Sequence, residues 1–537
     1  MNRHSVRRIA PAGALVLVWV AAAGFFLPLC ARAAETTPNV VVFFTDDHGY
    51  ADLSSQGIRE DIRTPHIDSL AAGGVRMTNG YITAPQCTPS RAGLISGRYQ
   101  NRFGVESNGR SMDGFLKQTT IADRLKRAGY ATGQIGKWHL GDPADMRPHH
   151  GFTDVYMNQG RVWRTYDLEG NDVEPGYHRS TMYHLEEDTA AALAFLKRHH
   201  ERPFFLYVAY RAPHVPLDAP PEYLARFPGE MPRRRRQCLA MMSCVDDGVG
   251  RVMQALRDYG IEENTLVFFI SDNGAPLKIH KLDAPGGGPG WDGSLNDPLN
   301  GEKGMLAEGG IRVPYVMYWK GVLPAGVVYD RPVISLDVAA TANALAGLPP
   351  DPRLDGVNLI PYLTGKKSGP PHETLYWRWV AQAAIREGKW KYLRGGEREY
   401  LYNLDVDREE HNSVLDAHPE IATRLRTKLE KWTSELDPPG LHTGPMAPTW
   451  ETYFDYYLDG KPAPPVSAMR RRGGRGGASA ALKGWVARNS TAAAQDGILR
   501  VTPQPEVQHR PFIARAGVKI SGPARLSVRL RCPEGGE

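Results

Sequence analysis

Four residues with side-chain oxygens stand where apolar runs end: Asp46 and Asp47 after the run from Val40 to Phe44, and Asp272 and Asn273 after the run from Leu266 to Ile270. Carboxylate and amide oxygens are the donors that a hard divalent cation takes, Ca²⁺ ahead of Mg²⁺, and no cysteine or histidine cluster suggests zinc. Either pair alone has a more ordinary explanation as a helix cap; their shared position at strand ends favours a metal. Pro89 suits the first turn of a helix, which would put Cys87 at that helix's N-terminus, where free N–H groups and the dipole favour an anion. An inert buried thiol is the alternative for Cys87. Lys137 and Lys303 would default to the surface, but the glycines beside them suggest close backbone approach at a site. His139 beside Trp138 and His214 beside Pro213 are, taken singly, more often structural than catalytic.

The elements that must position these groups are legible as a pattern. The runs from Val40 to Phe44, Phe204 to Tyr210 and Leu266 to Ile270 lack alternation, which predicts strands of a parallel sheet buried on both faces. Thr120 reads as an N-cap for a helix from Ile121 to Arg127. Val245, Val249, Val252, Met253 and Leu256 fall on one face of another. Strands alternating with helices give an α/β fold with its site beyond the carboxyl ends of the strands. After residue 325 the pattern changes: residues 388–393 and 400–404 read as strands and residues 421–436 as a helix, giving a smaller antiparallel subdomain.

A chain of 537 residues, 42% hydrophobic and 23% charged, is within globular composition. Residues 1–33 have the layout of a cleaved secretory signal, so export to the periplasm or the medium is expected, with no stable membrane insertion. The formal charge of +6 includes four arginines before residue 34, and from Lys461 onward 14 Lys and Arg face 4 Asp and Glu, which leaves residues 34–460 at −8. An acidic body argues against nucleic acid as a partner. The expected organisation is a catalytic domain over 34–325, a subdomain over 326–460, an Arg/Gly-rich linker over 461–483 and a partial, truncated β accessory domain over 484–537. Of five cysteines, Cys238 and Cys244 lie six apart in one predicted helix, a spacing that turns them away from each other, so no disulfide framework follows.

The run Cys87-Thr88-Pro89-Ser90-Arg91 resembles the modification signature Cys-x-Pro-x-Arg of the type I, formylglycine-dependent sulfatases. Asp46-Asp47, Gly136-Lys137-Trp138-His139, Ala212-Pro213-His214, Ser271-Asp272-Asn273-Gly274 and the segment from Gly301 to Pro314 follow in the family's order, across residues 38–439. The resemblance implies an alkaline-phosphatase-like α/β fold, a large, mostly parallel sheet between helices with a smaller C-terminal antiparallel sheet. It implies that a formylglycine-generating maturation enzyme oxidises Cys87 to Cα-formylglycine, and that one Ca²⁺ is held by Asp46, Asp47, Asp272, Asn273 and the modified Cys87. In that reading the first hydroxyl of the aldehyde hydrate attacks sulfur while Lys137, Lys303 and the metal stabilise charge. Arg91 holds the hydrate. His214, with Lys303 as an accessory, is the candidate general acid, and His139 the candidate base that returns the hydrate to aldehyde.

The substrate class expected is a sulfated carbohydrate. The rivals are a phosphomonoester or phosphonate-ester hydrolase of the same superfamily, and a non-catalytic glycan-binding protein with Cys87 unmodified. His48 departs from the family pattern and is read as supporting the ligands or facing substrate, with metal ligation the lesser option. Arg233 to Arg236 read as a solvated face, Asp246 and Asp247 as the polar face of their helix. His149, His150, Arg161, Trp163, Arg164 and His280 are placed in loops where sugar subsites form.

Overall fold

A computed structural model describes residues 37–109, 111–158, 161–277, 291–442 and 444–463, with four short strands between 485 and 515. The signal segment, the linker over 464–483, His280 and the strand expected at 524–530 lie outside the described residues. Sixteen strands run through the body in chain order. The first six are β1 (Asn39–Asp46), β2 (Val75–Met77), β3 (Gly80–Tyr81), β4 (Ala131–Gly136), β5 (Asp154–Asn158) and β6 (Val162–Tyr166). Next come β7 (Asp172–His178), β8 (Phe204–Pro213), β9 (Thr265–Ser271), β10 (Tyr315–Tyr318), β11 (Val327–Tyr329) and β12 (Val333–Ile334). The last four are β13 (Thr374–Trp379), β14 (Gln382–Glu387), β15 (Trp390–Gly395) and β16 (Arg398–Asn403).

Ten of them form one sheet in the order β11, β2, β10, β9, β1, β8, β4, β5, β6, β7. Its centre, from β9 to β5, is parallel, while β10, β6 and β7 join antiparallel. The lack of alternation in β1 has a direct cause: Val40, Val42 and Phe44 pack into one apolar cluster and Val41 and Phe43 into another on the opposite face. The helix Arg233–Asp258 covers the second cluster through Val245, Val249, Val252, Met253 and Leu256, all buried as its periodicity predicts. Cys238 and Cys244 are free and buried in it. Thr120 caps the helix Ile121–Arg127 in a capping box with Asp123.

Strands β13 to β16 make a separate antiparallel sheet, packed by the helix Pro419–Thr433. The large sheet takes its edge strand β11 from beyond residue 325, because β11 pairs with β2. Two further strand pairs, Trp485–Arg488 with Phe512–Arg515 and Ser490–Gln495 with Ile498–Pro503, lie in the C-terminal region. Among the described residues no helix is long and apolar enough to cross a membrane.

Several sequence expectations are corrected here. Arg235 is buried against Asp52 and Asp61, at 2.8 Å from each, so the arginine run is no solvated face; only Arg233 stays exposed. Asp246 is buried as well and accepts the backbone N–H groups of His66 and Ile67, capping the helix Pro65–Gly73 from a distant helix. Trp163 and Arg164 lie in strand β6 rather than in a loop, and His150 is buried in an aromatic cluster with Phe115 and Trp138.

Candidate active site

Most of the predicted groups leave the carboxyl end of a parallel strand or the start of a helix; Arg91 lies within that helix and Lys303 in the turn segment ahead of β10. Asp46 ends β1, and Asp47 follows it with φ of 65°, in the left-handed region. Lys137 and His139 follow β4, the latter with φ of 60°. His214 follows β8, and Asp272 and Asn273 follow β9. Gly136 is required by its own geometry: at φ of 79°, a Cβ would lie 2.3 Å from the Ala209 carbonyl oxygen of the neighbouring strand. Cys87 opens the helix Cys87–Ser96. One of the amides assigned there to an anion is spent, because Thr88 N–H donates to Asn108 Oδ1 at 3.0 Å.

These segments converge. One ligand atom each of Asp46, Asp47, Cys87 and His214 lies within 4.8 Å of the others. Cys87 Sγ, the atom whose place the formylglycine oxygens would take, is 3.5 Å from Asp46 Oδ1 and 3.2 Å from Lys303 Nζ. Lys303 also binds Asp47 Oδ1, and Lys137 Nζ sits 2.6 Å from Asp46 Oδ2. Asp272 joins through Oδ1, which accepts the Asp47 N–H at 3.1 Å, and Asn273 Nδ2 donates to Asp47 Oδ1 at 2.6 Å. Arg91 lies wholly buried beneath, with Nε and Nη2 on Asp272 Oδ2 and Nη1 donating to the Lys137 carbonyl and the Tyr207 hydroxyl. Its guanidinium positions Asp272 and the lysine turn; none of these hydrogen bonds goes to Cys87.

The electrostatics follow from this packing. Burial would raise the Asp46 and Asp47 carboxyls, but Lys137 and Lys303 with His214 outweigh it and hold both below the ordinary carboxylate value. Asp272 is pushed up to about 7 by burial, then by the adjacent Asp46. Burial also pushes the Cys87 thiol up to about 12, so an unmodified Cys87 is protonated and a poor nucleophile at neutral pH. His139 keeps an exposed face, yet desolvation by its surroundings and the charge of Lys137 hold its imidazole well below the ordinary histidine value. His214 Nδ1 faces the Val215 carbonyl at 2.5 Å, which leaves Nε2 as its free nitrogen, 3.7 Å from Asp47 Oδ2.

The donor set fits a hard cation. Three carboxylates gather beside Asn273, whose buried Oδ1 has no hydrogen-bond partner among the described residues. His48 is not among the ligands: its Nδ1 meets Thr45 Oγ1 at 3.2 Å and its Nε2 the Asp52 carbonyl at 2.6 Å, while its N–H donates to Ser271 Oγ. It braces the turn carrying Asp46 and Asp47. Sequence reasoning missed Gln382 of β14, whose Oε1 accepts the Leu306 N–H and whose Nε2 donates to the Gly304 carbonyl, both at 2.9 Å, clamping the lysine segment from the smaller sheet. It also missed Tyr207 and the fully buried Asp292. Neither a polar residue inside a strand, as Gln382 and Tyr207 are, nor one in an irregular segment, as Asp292 is, carries a local sign of such a contact.

The family model described as Sulfatase matches residues 38–348. The chain belongs to the sulfatase family. This sulfatase is 32% identical over 419 residues to N-acetylgalactosamine-6-sulfatase of Canis lupus familiaris, covering 71% of this chain and 76% of that protein. It is 32% identical over 461 residues to arylsulfatase A of Bos taurus, covering 73% and 86%. Among solved structures it superposes on Ps i-CgsB in complex with k-i-k-neocarrahexaose with a TM-score of 0.67 at 30% identity, covering 78% of this chain and 97% of that one. A phosphonate monoester hydrolase of Agrobacterium radiobacter, at 22% identity and a TM-score of 0.55, shares the fold alone. The sulfatase is therefore a sulfuric ester hydrolase of alkaline-phosphatase-like fold, and the rival phosphoester and binding-protein readings are not favoured.

Proposed function

We propose that this sulfatase is an exported enzyme that removes sulfate from a sulfated carbohydrate, using one Ca²⁺ and a Cα-formylglycine made from Cys87 by a maturation enzyme. The observation that carries the reading is the surroundings of Cys87 Sγ: Lys303 Nζ at 3.2 Å, Asp46 Oδ1 at 3.5 Å, and Lys137 on the far oxygen of Asp46. A hydrated formylglycine at this position supplies an oxygen nucleophile on a carbon that can later release sulfate as it returns to aldehyde. Asp46, Asp47, Asp272 and Asn273 would hold a cation, which would supply positive charge to an anionic reaction centre at this position.

The rest is the work of this chain's side chains. Lys137 and Lys303 meet the charge that spreads over the sulfuryl group from two sides. His214, with Nδ1 committed to Val215, presents Nε2 to the leaving oxygen as a proton donor. His139, kept neutral by desolvation and then by the charge of Lys137, accepts the proton whose removal lets sulfate depart. Arg91 holds Asp272 and the Lys137 turn in place. The names of relatives support a carbohydrate as the alcohol, since they include an N-acetylgalactosamine-6-sulfatase and a complex with neocarrahexaose.

The test combines peptide mass across Cys87 with turnover of matched aryl sulfate and aryl phosphate esters, after chelation and refilling with Ca²⁺ or Mg²⁺. Conversion at Cys87, sulfate preferred over phosphate, and restoration by Ca²⁺ ahead of Mg²⁺ are expected. A retained thiol in fully active protein would overturn the reading.

A further inference from the structure

A cavity of about 780 Å³ opens beside His214, walled by the end of β7 and the segment after it, the start of the helix His184–His199, and the loop that follows β8. That is room for one or two sugar rings. Arg161, Arg179 and Arg211 all line it. Their charge is offset only in part from within. Among the described residues Arg161 and Arg179 have no carboxylate at ion-pair distance, and the hydrogen bond of Arg211 goes to the Val215 carbonyl. Of the two acids on the wall, Glu187 is buried with one oxygen on the Tyr156 hydroxyl and the other on Asn158 Nδ2, and Asp218 lies 3.7 Å from His184 Nε2. Three guanidinium groups against two carboxylates leave this wall net positive in a body that carries net negative charge, and guanidinium matches planar and tetrahedral oxyanions through paired donors. Tyr177, 53% exposed and stacked under Arg161 at 4.8 Å, offers the same cavity a flat apolar surface of the kind a sugar face covers.

We propose that this cavity recognises a second anionic group, a sulfate ester or a carboxylate, on the carbohydrate whose sulfate is cleaved beside His214, so that the enzyme selects doubly anionic over singly sulfated saccharides. The inference rests on the carbohydrate reading above.

The test compares three oligosaccharides of one backbone, monosulfated, disulfated, and monosulfated with a neighbouring uronate, with 4-nitrophenyl sulfate as the control. Arg161→Ala and Arg179→Ala alter exposed residues outside the catalytic groups. Each is expected to lower kcat/KM about tenfold on the doubly anionic substrate, mainly through KM, as loss of one charged hydrogen bond would. Turnover of the monosulfated sugar and of the aryl ester stays within about twofold. A response confined to the disulfated sugar assigns a sulfate, and one confined to the uronate a carboxylate. Equal losses on singly and doubly charged sugars, or none on either doubly charged one, overturn the inference alone. A wild-type enzyme active on the aryl ester and on no saccharide overturns it together with the carbohydrate reading.

Discussion

Replacing His214 by Ala tests the division of labour in the pocket, because the role assigned to it depends on what leaves. A sugar alkoxide departs only when protonated, whereas 4-nitrophenolate departs unaided. General acid catalysis contributes about 10² to 10⁴ in rate, or roughly 3 to 5 kcal/mol of barrier. The structure points to the lower part of that range. Nε2 stands 3.7 Å from Asp47 Oδ2, too far for a direct hydrogen bond, and about a quarter of the side chain is exposed, so water can enter the vacated space and donate in its stead. A loss of about 10² to 10³ in kcat is therefore expected on a sugar sulfate, with less than about tenfold on 4-nitrophenyl sulfate. The assay follows both substrates under single-turnover conditions, with conversion of Cys87 checked by peptide mass. Equal losses on the two esters would remove His214 from the acid role and leave it a binding group.

Gln382→Ala, which releases the lysine segment from the smaller sheet, is expected to lower kcat about tenfold with Cys87 conversion intact, since two hydrogen bonds of about 1 kcal/mol each hold that segment; unchanged aryl sulfate turnover would show that Lys303 is placed by other contacts. Lys391→Met removes the cation that lies 2.8 Å from both Glu308 and Glu410, and breaking such a buried set costs about 3 to 5 kcal/mol, the low end here because Glu410, pushed up to about 7 by burial, can take a proton. An unaltered urea midpoint would refute it. Burial alone would lower the His372 pKa, but Asp337 at 2.8 Å outweighs it and holds the folded value above that of the unfolded chain, so this pair stabilises fully below about pH 6.5 and less as pH rises through the raised value. The melting-temperature gap between wild type and His372→Gln should accordingly be widest near pH 6 and shrink by about pH 8.5; a gap that widens with pH would contradict the assignment.

What was legible in the sequence and what was not divide along the range of the interactions. Val40 to Phe44 announced a strand covered on both faces because that condition writes itself into consecutive residues, and Thr120 announced a helix start because its partner Asp123 lies three positions away. Strand β7 was not seen: it holds Pro175 and Gly176, and only as the last strand of the sheet, with one side unpaired, can it tolerate them. Asp246 and Arg235 were misplaced for a different reason. A charged residue in a helix is read as solvated unless its partner is known, and their partners lie about 180 and 174 positions away. The candidate site groups escaped this difficulty because a parallel sheet sends each strand's carboxyl end to the same edge, so Asp46, His214 and Asp272 followed from strand positions, while Lys137, after a strand the pattern did not show, was singled out by its flanking glycine and the family resemblance. That rule says where the backbone delivers a side chain, and nothing about what surrounds it once delivered. It could not show that Arg91 is spent on Asp272, that His48 braces the aspartate turn, or that Gln382 reaches across from another sheet. The walls of the cavity beside His214 fall under the same restriction. Arg161, Arg179 and Arg211 come from three separate segments whose meeting no strand rule dictates: Arg161 was placed at a sugar subsite from its loop alone, while nothing local to Arg179 or Arg211 pointed to the same wall.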